Sequence, residues 1–313
     1  MEHKLNDSLN DKLNDRLNDK ANEKRRKLLG AAALAPLLTG LDAFAAETPE
    51  TAIAAFAALE REMGGRLGVS AINLESGKQT GHRAVERFPM CSTFKAMLAA
   101  AILQRSASDP ALLKRRIRYT EKDMVPHAPV TEPNMAKGMT VQELCAATVQ
   151  YSDNPAANLL MKLLGGPEAV TAYARGIGDA EFRLDRWETE LNSAIPGDPR
   201  DTTTPLAMMR SLQALVLGDA LGAPQRQLLK DWLVGNTTGG KLIRAGTPAG
   251  WLVGDKTGGG AYGARNDIGV IWPAGKAPLV ISVYTAHDSK DAKYREDIIA
   301  RATATAITIL TTG

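Results

Sequence analysis

The sequence predicts a mixed α/β fold in which both ends of the chain supply strands to one sheet and a long helical stretch is inserted between them. Three observations carry this. Arg66 to Leu74 (RLGVSAINL) is a β-rich run closed by the turn Glu75-Ser76-Gly77. From about 92 to 233 the pattern is almost wholly helical. After 250 the strands return as GWLVGDKTG, DIGVIW and LVISVYTA, separated by Gly, Pro and Asn, and their close spacing favours antiparallel pairing.

The elements follow in order. Residues 5–24 run LNDS-LNDK-LNDR-LNDK-ANEK, a polar low-complexity extension that brings no core of its own, although Leu5, Leu9, Leu13 and Leu17 would share one side of a helix. Lys24-Arg25-Arg26-Lys27, the apolar run Leu28 to Leu38 and Ala43-Phe44-Ala45 together have the form of a secretory leader cleaved near Ala45. The arginine pair also permits a twin-arginine leader. The run is too short and too interrupted, by Pro36, Gly40 and Asp42, to span a bilayer. The expectation is therefore a mature protein that works in the periplasm or outside the cell. Residues 49–63 form an amphipathic helix with Ala52, Ile53, Phe56, Ala57 and Leu59 on one face. Thr140-Val-Gln-Glu143 is a capping box, and Pro155, Pro167 and Pro205 each stand just inside a helix start. The stretch 183–203 is charged and aperiodic, and a loop of that length is usually functional. A last helix is expected over about 291–311.

Composition narrows the function. Hydrophobic residues are 44% and charged residues 23%, so the chain can build an ordinary core. A net charge of +3, which cleavage of the leader would change to +2, gives no argument for a nucleic-acid or acidic partner. Two cysteines exclude a disulfide scaffold. His3, His82, His127 and His287 have no metal-ligand spacing, so neither a metal nor another cofactor is implied.

Three short motifs carry chemistry. Ser92-Thr93-Phe94-Lys95 opens the helix STFKAMLAAAIL, and positions three apart share a helix face, so the amine can approach the hydroxyl. Serine needs a base to act as a nucleophile, and a lysine serves if apolar neighbours such as Phe94, Met97 and Leu98 lower its pKa. Ser152-Asp153-Asn154 lies between two helices. Its plain structural reading has Asn154 as N-cap before Pro155; its functional reading has Ser152 passing a proton and Asn154 anchoring a polar group. Lys256-Thr257-Gly258 ends a strand, where Lys256 and Thr257 can bind a carboxylate and the glycines admit a substrate backbone.

Each motif alone is weak. In this order, with Ser152 sixty residues after Ser92 and Lys256 a further 104 on, they are not. The set resembles that of the class A serine β-lactamases and their penicillin-binding relatives, over about residues 46–313. Arg186-Trp187-Glu188-Thr189-Glu190-Leu191-Asn192 matches the R-x-E-x-E-L-N loop of the β-lactamases.

The resemblance implies an α/β fold of the α+β type. An antiparallel five-stranded sheet flanked by helices would be built from both chain ends (46–84 plus 235–313), with an all-helical domain (85–234) inserted and 1–45 outside the fold. It implies that Ser92 is acylated by a β-lactam and that the serine proton leaves through Lys95 or through Glu188 and water. Backbone N–H groups of Ser92 and Gly259 would hold the oxyanion. Ser152, supported by Lys256, would protonate the leaving nitrogen. Glu188, with Asn192, would activate the deacylating water, and an Arg186–Asp201 pair would clamp the loop. Asn154, Thr257, Arg265 and His127 would contact substrate, His127 standing where many members place an aromatic. The register of the motif selects Glu188 over Glu190. The implied partner is a small β-lactam and the chain is expected to be monomeric, without membrane or nucleic-acid contacts. The alternatives are a D-alanyl-D-alanine peptidase or other penicillin-binding protein, and a non-catalytic β-lactam sensor; both would lack the deacylating carboxylate. Some relatives bridge the cysteine before the nucleophile to one just after K-T-G, where this chain has Gly259-Gly260, so Cys91 and Cys145 are expected to be free thiols. Gly235 to Lys241 almost spells a phosphate-binding loop, but it lacks the hydroxyl residue and follows a helix, so it reads as a connection back to the sheet.

Overall fold

A computed structural model describes residues 49–312. The repeat and the leader lie outside the described residues. Helix α1 (Pro49–Met63) leads into β1 (Arg66–Asn73) and β2 (Gln79–His82). The helical stretch follows as α2 (Phe94–Ser108), α3 (Val141–Gln150), α4 (Asn154–Leu164), α5 (Pro167–Gly176), α6 (Pro205–Val216) and α7 (Ala223–Val234). A single turn, α8 (Ile243–Gly246), precedes β3 (Leu252–Gly259), β4 (Arg265–Trp272) and β5 (Leu279–Ala286), and α9 (Glu296–Thr311) closes the chain.

The five strands lie in the order β2-β1-β5-β4-β3, every neighbouring pair antiparallel. The first and last thirds of the chain therefore meet at the β1–β5 pairing, which runs unbroken from Arg66↔Ala286 to Asn73↔Leu279. Strand β5 is buried at every position because helices cover both faces, which is why it reads as a continuous apolar run rather than an alternating one. Its side chains go alternately to two cores. Ile281 and Val283 join Phe56 of α1 and Ile298, Ile299 and Ala302 of α9. Val280 and Tyr284 join Phe94, Leu98 and Ile102 of α2 and Met208 and Leu212 of α6. Helix α2 is buried almost all round over Phe94–Leu103, as the apolar run from Ala96 to Leu103 requires.

The local signals act as expected in α3, where Thr140 and Glu143 form a reciprocal capping box, and in α6, where Thr204 caps and Pro205 opens the helix. Three expectations need correction. Ser92 does not open the helix: it lies in a 3-10 turn, Cys91–Thr93, that runs into α2. The cap of α4 is Asp153, whose carboxylate accepts the Ala156 N–H at 2.9 Å, so that Asn154 is the first helical residue. The last helix starts at Glu296 rather than near 291, because residues 287–295 form a connection tied to the end of β3.

Candidate active site

The Ser92 turn is placed by β4 and β5. The Asn266 amide of β4 donates to Pro89 O and Met90 O at 2.8 and 3.1 Å. Thr93 donates to Met90 O and meets the Tyr284 hydroxyl of β5 at 3.1 Å. Strand β3 passes directly against the turn. A Cβ on Gly258 would lie 2.7 Å from Met90 O and 3.2 Å from the Ser92 nitrogen, so this position has to be glycine for the strand end to reach the serine.

Ser92, Lys95 and Glu188 are all buried. Ser92 Oγ donates to Glu188 Oε1 at 3.3 Å, and Lys95 Nζ meets the same oxygen at 2.9 Å. Lys95 also donates to Asn154 Oδ1 at 2.5 Å and Ser152 O at 2.7 Å. The serine and the lysine are thus joined through the glutamate rather than by the direct contact that helical spacing suggested. Burial pushes the Lys95 amine down from its ordinary value, against the pull of Glu188.

Ser152 has left-handed backbone angles (φ 58°), an uncommon conformation for a serine that turns its hydroxyl between two amines. Lys256 Nζ donates to Ser152 Oγ at 3.1 Å, and Lys95 Nζ lies 3.4 Å from it. Lys256 is fully buried and its pKa is pushed down to about 7, first by burial and next by the Lys95 charge; Asp255, Asp267 and Glu188 oppose this. Thr257 is buried with its hydroxyl 2.6 Å from that of Thr238.

The loop bearing Glu188 is anchored at both ends. Arg186 Nε donates to Asp201 Oδ2 at 2.6 Å, and Asp201 Oδ1 accepts the N–H groups of Asp185 and Arg186, as the expected clamp requires. Asn192 Nδ2 donates to Glu188 Oε2 at 2.5 Å. The Glu188–Thr189 peptide is cis. Glu190 is exposed, so the environment separates the two carboxylates as the motif register did.

Of the substrate-contact candidates, Asn154 spends both amide atoms inside the protein, accepting from Lys95 and donating to Pro126 O at 2.8 Å. It holds the lysine. His127 is exposed beside the Ser152 turn, with Nε2 2.9 Å from Tyr151 O. Arg265 stands next to Gly259 across the β3–β4 pairing. Cys91 and Cys145 are buried free thiols. Sequence reasoning passed over Asn158, whose amide accepts from Glu188 N at 3.0 Å and donates to Glu188 O at 2.9 Å. Its signal was available: Asn158 stands four residues after Asn154, on the same face of α4.

A buried hydroxyl, two buried amines and a buried carboxylate converge at one place, and comparison with known proteins agrees with that equipment. The Beta-lactamase enzyme family model matches residues 48–310. The carbapenem-hydrolyzing β-lactamase KPC of Klebsiella oxytoca is 54% identical over 253 residues, which are 80% of this chain and 86% of that protein. β-Lactamase OXY-1 of the same organism is 53% identical over 278 residues, 89% of this chain and 95% of that one. The crystal structure of a β-lactamase from Desulfarculus baarsii matches with a TM-score of 0.84 at 54% identity, over 85% of this chain and 100% of that one. Fold, site and relatives define a hydrolase acting on cyclic amides. The chain belongs to the β-lactamase enzyme family, among its class A members.

Proposed function

We propose that the protein opens β-lactam rings through an ester on Ser92 and clears that ester with water activated by Glu188. The observation that carries this is the division of one buried carboxylate: Oε1 serves Ser92 and Lys95, and Oε2 is held by Asn192. Ser92 Oγ bonds to the lactam carbonyl carbon, and its proton passes to Lys95 or through water to Glu188. The N–H groups of Ser92 and Gly259 stabilise the oxyanion. The C–N bond breaks as Ser152, backed by Lys256, gives the nitrogen a proton. Glu188 then takes a proton from water, the hydroxide adds to the ester, and the bond to Ser92 Oγ breaks as Glu188 returns that proton to the serine. In this reading 85–234 supplies Ser92, Lys95, Ser152 and Glu188, and 235–313 supplies Lys256, Thr257 and Gly259. A penicillin-binding protein or sensor would form the same ester and stop there; the buried Glu188 argues against both.

The leader reading of residues 24–45 places this reaction in the periplasm or outside the cell, with a mature chain starting at 46 and working as a monomer. The test is to purify the exported chain, read its first residue and follow excess chromogenic cephalosporin through burst and steady state. Sustained turnover by a chain starting near 46 is expected. A single stoichiometric burst would sink the hydrolase reading, and a chain retained in the cytoplasm with its leader intact would sink the export reading.

The Lys256 amine gives the reaction a pH dependence. Lys256 is protonated below about pH 7 and neutral above it. A charged Lys256 favours both a substrate carboxylate and proton donation by Ser152, so kcat/KM should fall as pH rises through that value. Lys256→Arg, which cannot lose its proton, should flatten the fall measured between about pH 6 and 9. A limb unchanged by the substitution would assign it to another group.

A further inference from the structure

Tyr294 is an exposed aromatic in the connection between β5 and α9, a segment to which the reading of the cleft assigns no role. It meets the β3–β4 end of the sheet at two points. Its hydroxyl donates to Gly260 O at 3.2 Å, just beyond the end of β3. Its ring lies under the Arg265 guanidinium, 5.4 Å from Cζ to the ring centre.

The guanidinium is otherwise held from one side only. Its NH2 group donates to Glu296 at 2.8 Å, and its Nε is buried without a partner. NH1 makes no hydrogen bond among the described residues and is the group turned toward Gly259: a Cβ on that glycine would stand 3.4 Å from NH1 and 3.0 Å from the Tyr294 hydroxyl. One ion pair fixes one edge of a planar cation but leaves the plane free to turn. An aromatic face beneath it fixes the plane without consuming a donor.

We propose that Tyr294 is a positioning residue for substrate recognition, its ring holding the Arg265 guanidinium so that NH1 is presented over Gly259 to the carboxylate of a β-lactam. This rests on the Ser92 reading of the cleft. Glu296 offsets the arginine charge, so orientation is what lets a second carboxylate compete for the guanidinium. A side chain at position 259 would stand in contact with NH1 and press on the Tyr294 hydroxyl.

The test uses the full chain with a chromogenic cephalosporin as the free acid and as its carboxylate methyl ester. Tyr294→Leu keeps apolar bulk without a π face. It should raise KM for the free acid about fivefold, with kcat changed less than about twofold and the ester unaffected. Tyr294→Phe keeps the ring and should match the parent. On an Arg265→Ala background, Tyr294→Leu should add nothing. The proposal is overturned if acid and ester lose equally, if the Phe chain is as impaired as the Leu chain, or if the two substitutions add. No turnover of the free acid by the parent chain would instead overturn the reading of the cleft.

Discussion

Glu188→Gln should leave the protein acylated at Ser92. Loss of a general base removes about 10²- to 10⁴-fold from the step it serves, so the deacylation rate is expected to fall about a thousandfold. The substituted chain should still fold around the change. Gln keeps an acceptor for Lys95 and places an N–H₂ where Oε2 stood, facing the Asn192 amide. Asn192 Oδ1 is buried and unpartnered, so a flip of that amide turns the clash of donors into a hydrogen bond. Mass spectrometry after brief exposure to a cephalosporin should find one adduct per chain, on Ser92, persisting for minutes. Turnover at the parental rate would remove Glu188 from the mechanism. The same variant separates the two routes for the serine proton. An unchanged burst rate assigns acylation to Lys95. A burst slowed in step with deacylation assigns it to Glu188 and water.

What could be read in the sequence and what could not divide along a physical line. The sheet from both chain ends was legible because strand and helix periodicities are local, and the break at β3 is sharp. The convergence of Ser92, Ser152 and Lys256 was legible because motif order is a one-dimensional property. The 3-10 turn at Ser92 was hidden because the helical apolar pattern runs through it, while the turn is imposed from outside by Asn266 and by Gly258 of β3. The late start of α9 had the same origin: nothing in DAKYRED forbids helix, but Tyr294 is drawn to Gly260 across the sheet end. Asn158 was missed because its partner is a backbone peptide thirty residues away on the loop. Contacts that bring distant segments together leave no periodic trace, and most of the positioning residues are of that kind.

Asp153→Ala should be the most destabilising single change near the site that removes no catalytic group. Asp153 is completely buried. Its Oδ2 accepts the N–H groups of Val130 and Thr131 at 2.9 Å, and its Oδ1 accepts the Thr131 hydroxyl at 2.8 Å and the Ala156 N–H at 2.9 Å. Truncation leaves these donors facing a void. An unsatisfied buried donor costs about 1–3 kcal/mol and a lost cap about 1 kcal/mol, so even with water partly filling the gap the loss should be about 4 kcal/mol. For a chain of this size that is a fall in Tm of roughly 10 °C. Asn should recover little, since either orientation of its amide turns an N–H₂ toward groups that already donate. The consequence reaches the cleft because Asp153 joins the His127 loop to α4 between Ser152 and Asn154, and its charge also supports protonation of Lys95. Activity at 25 °C should therefore fall alongside stability. A Tm within about 2 °C of the parent would mean that water replaces the carboxylate fully, and that the two segments are held together by Asn154 and the Pro126 and His127 carbonyls alone.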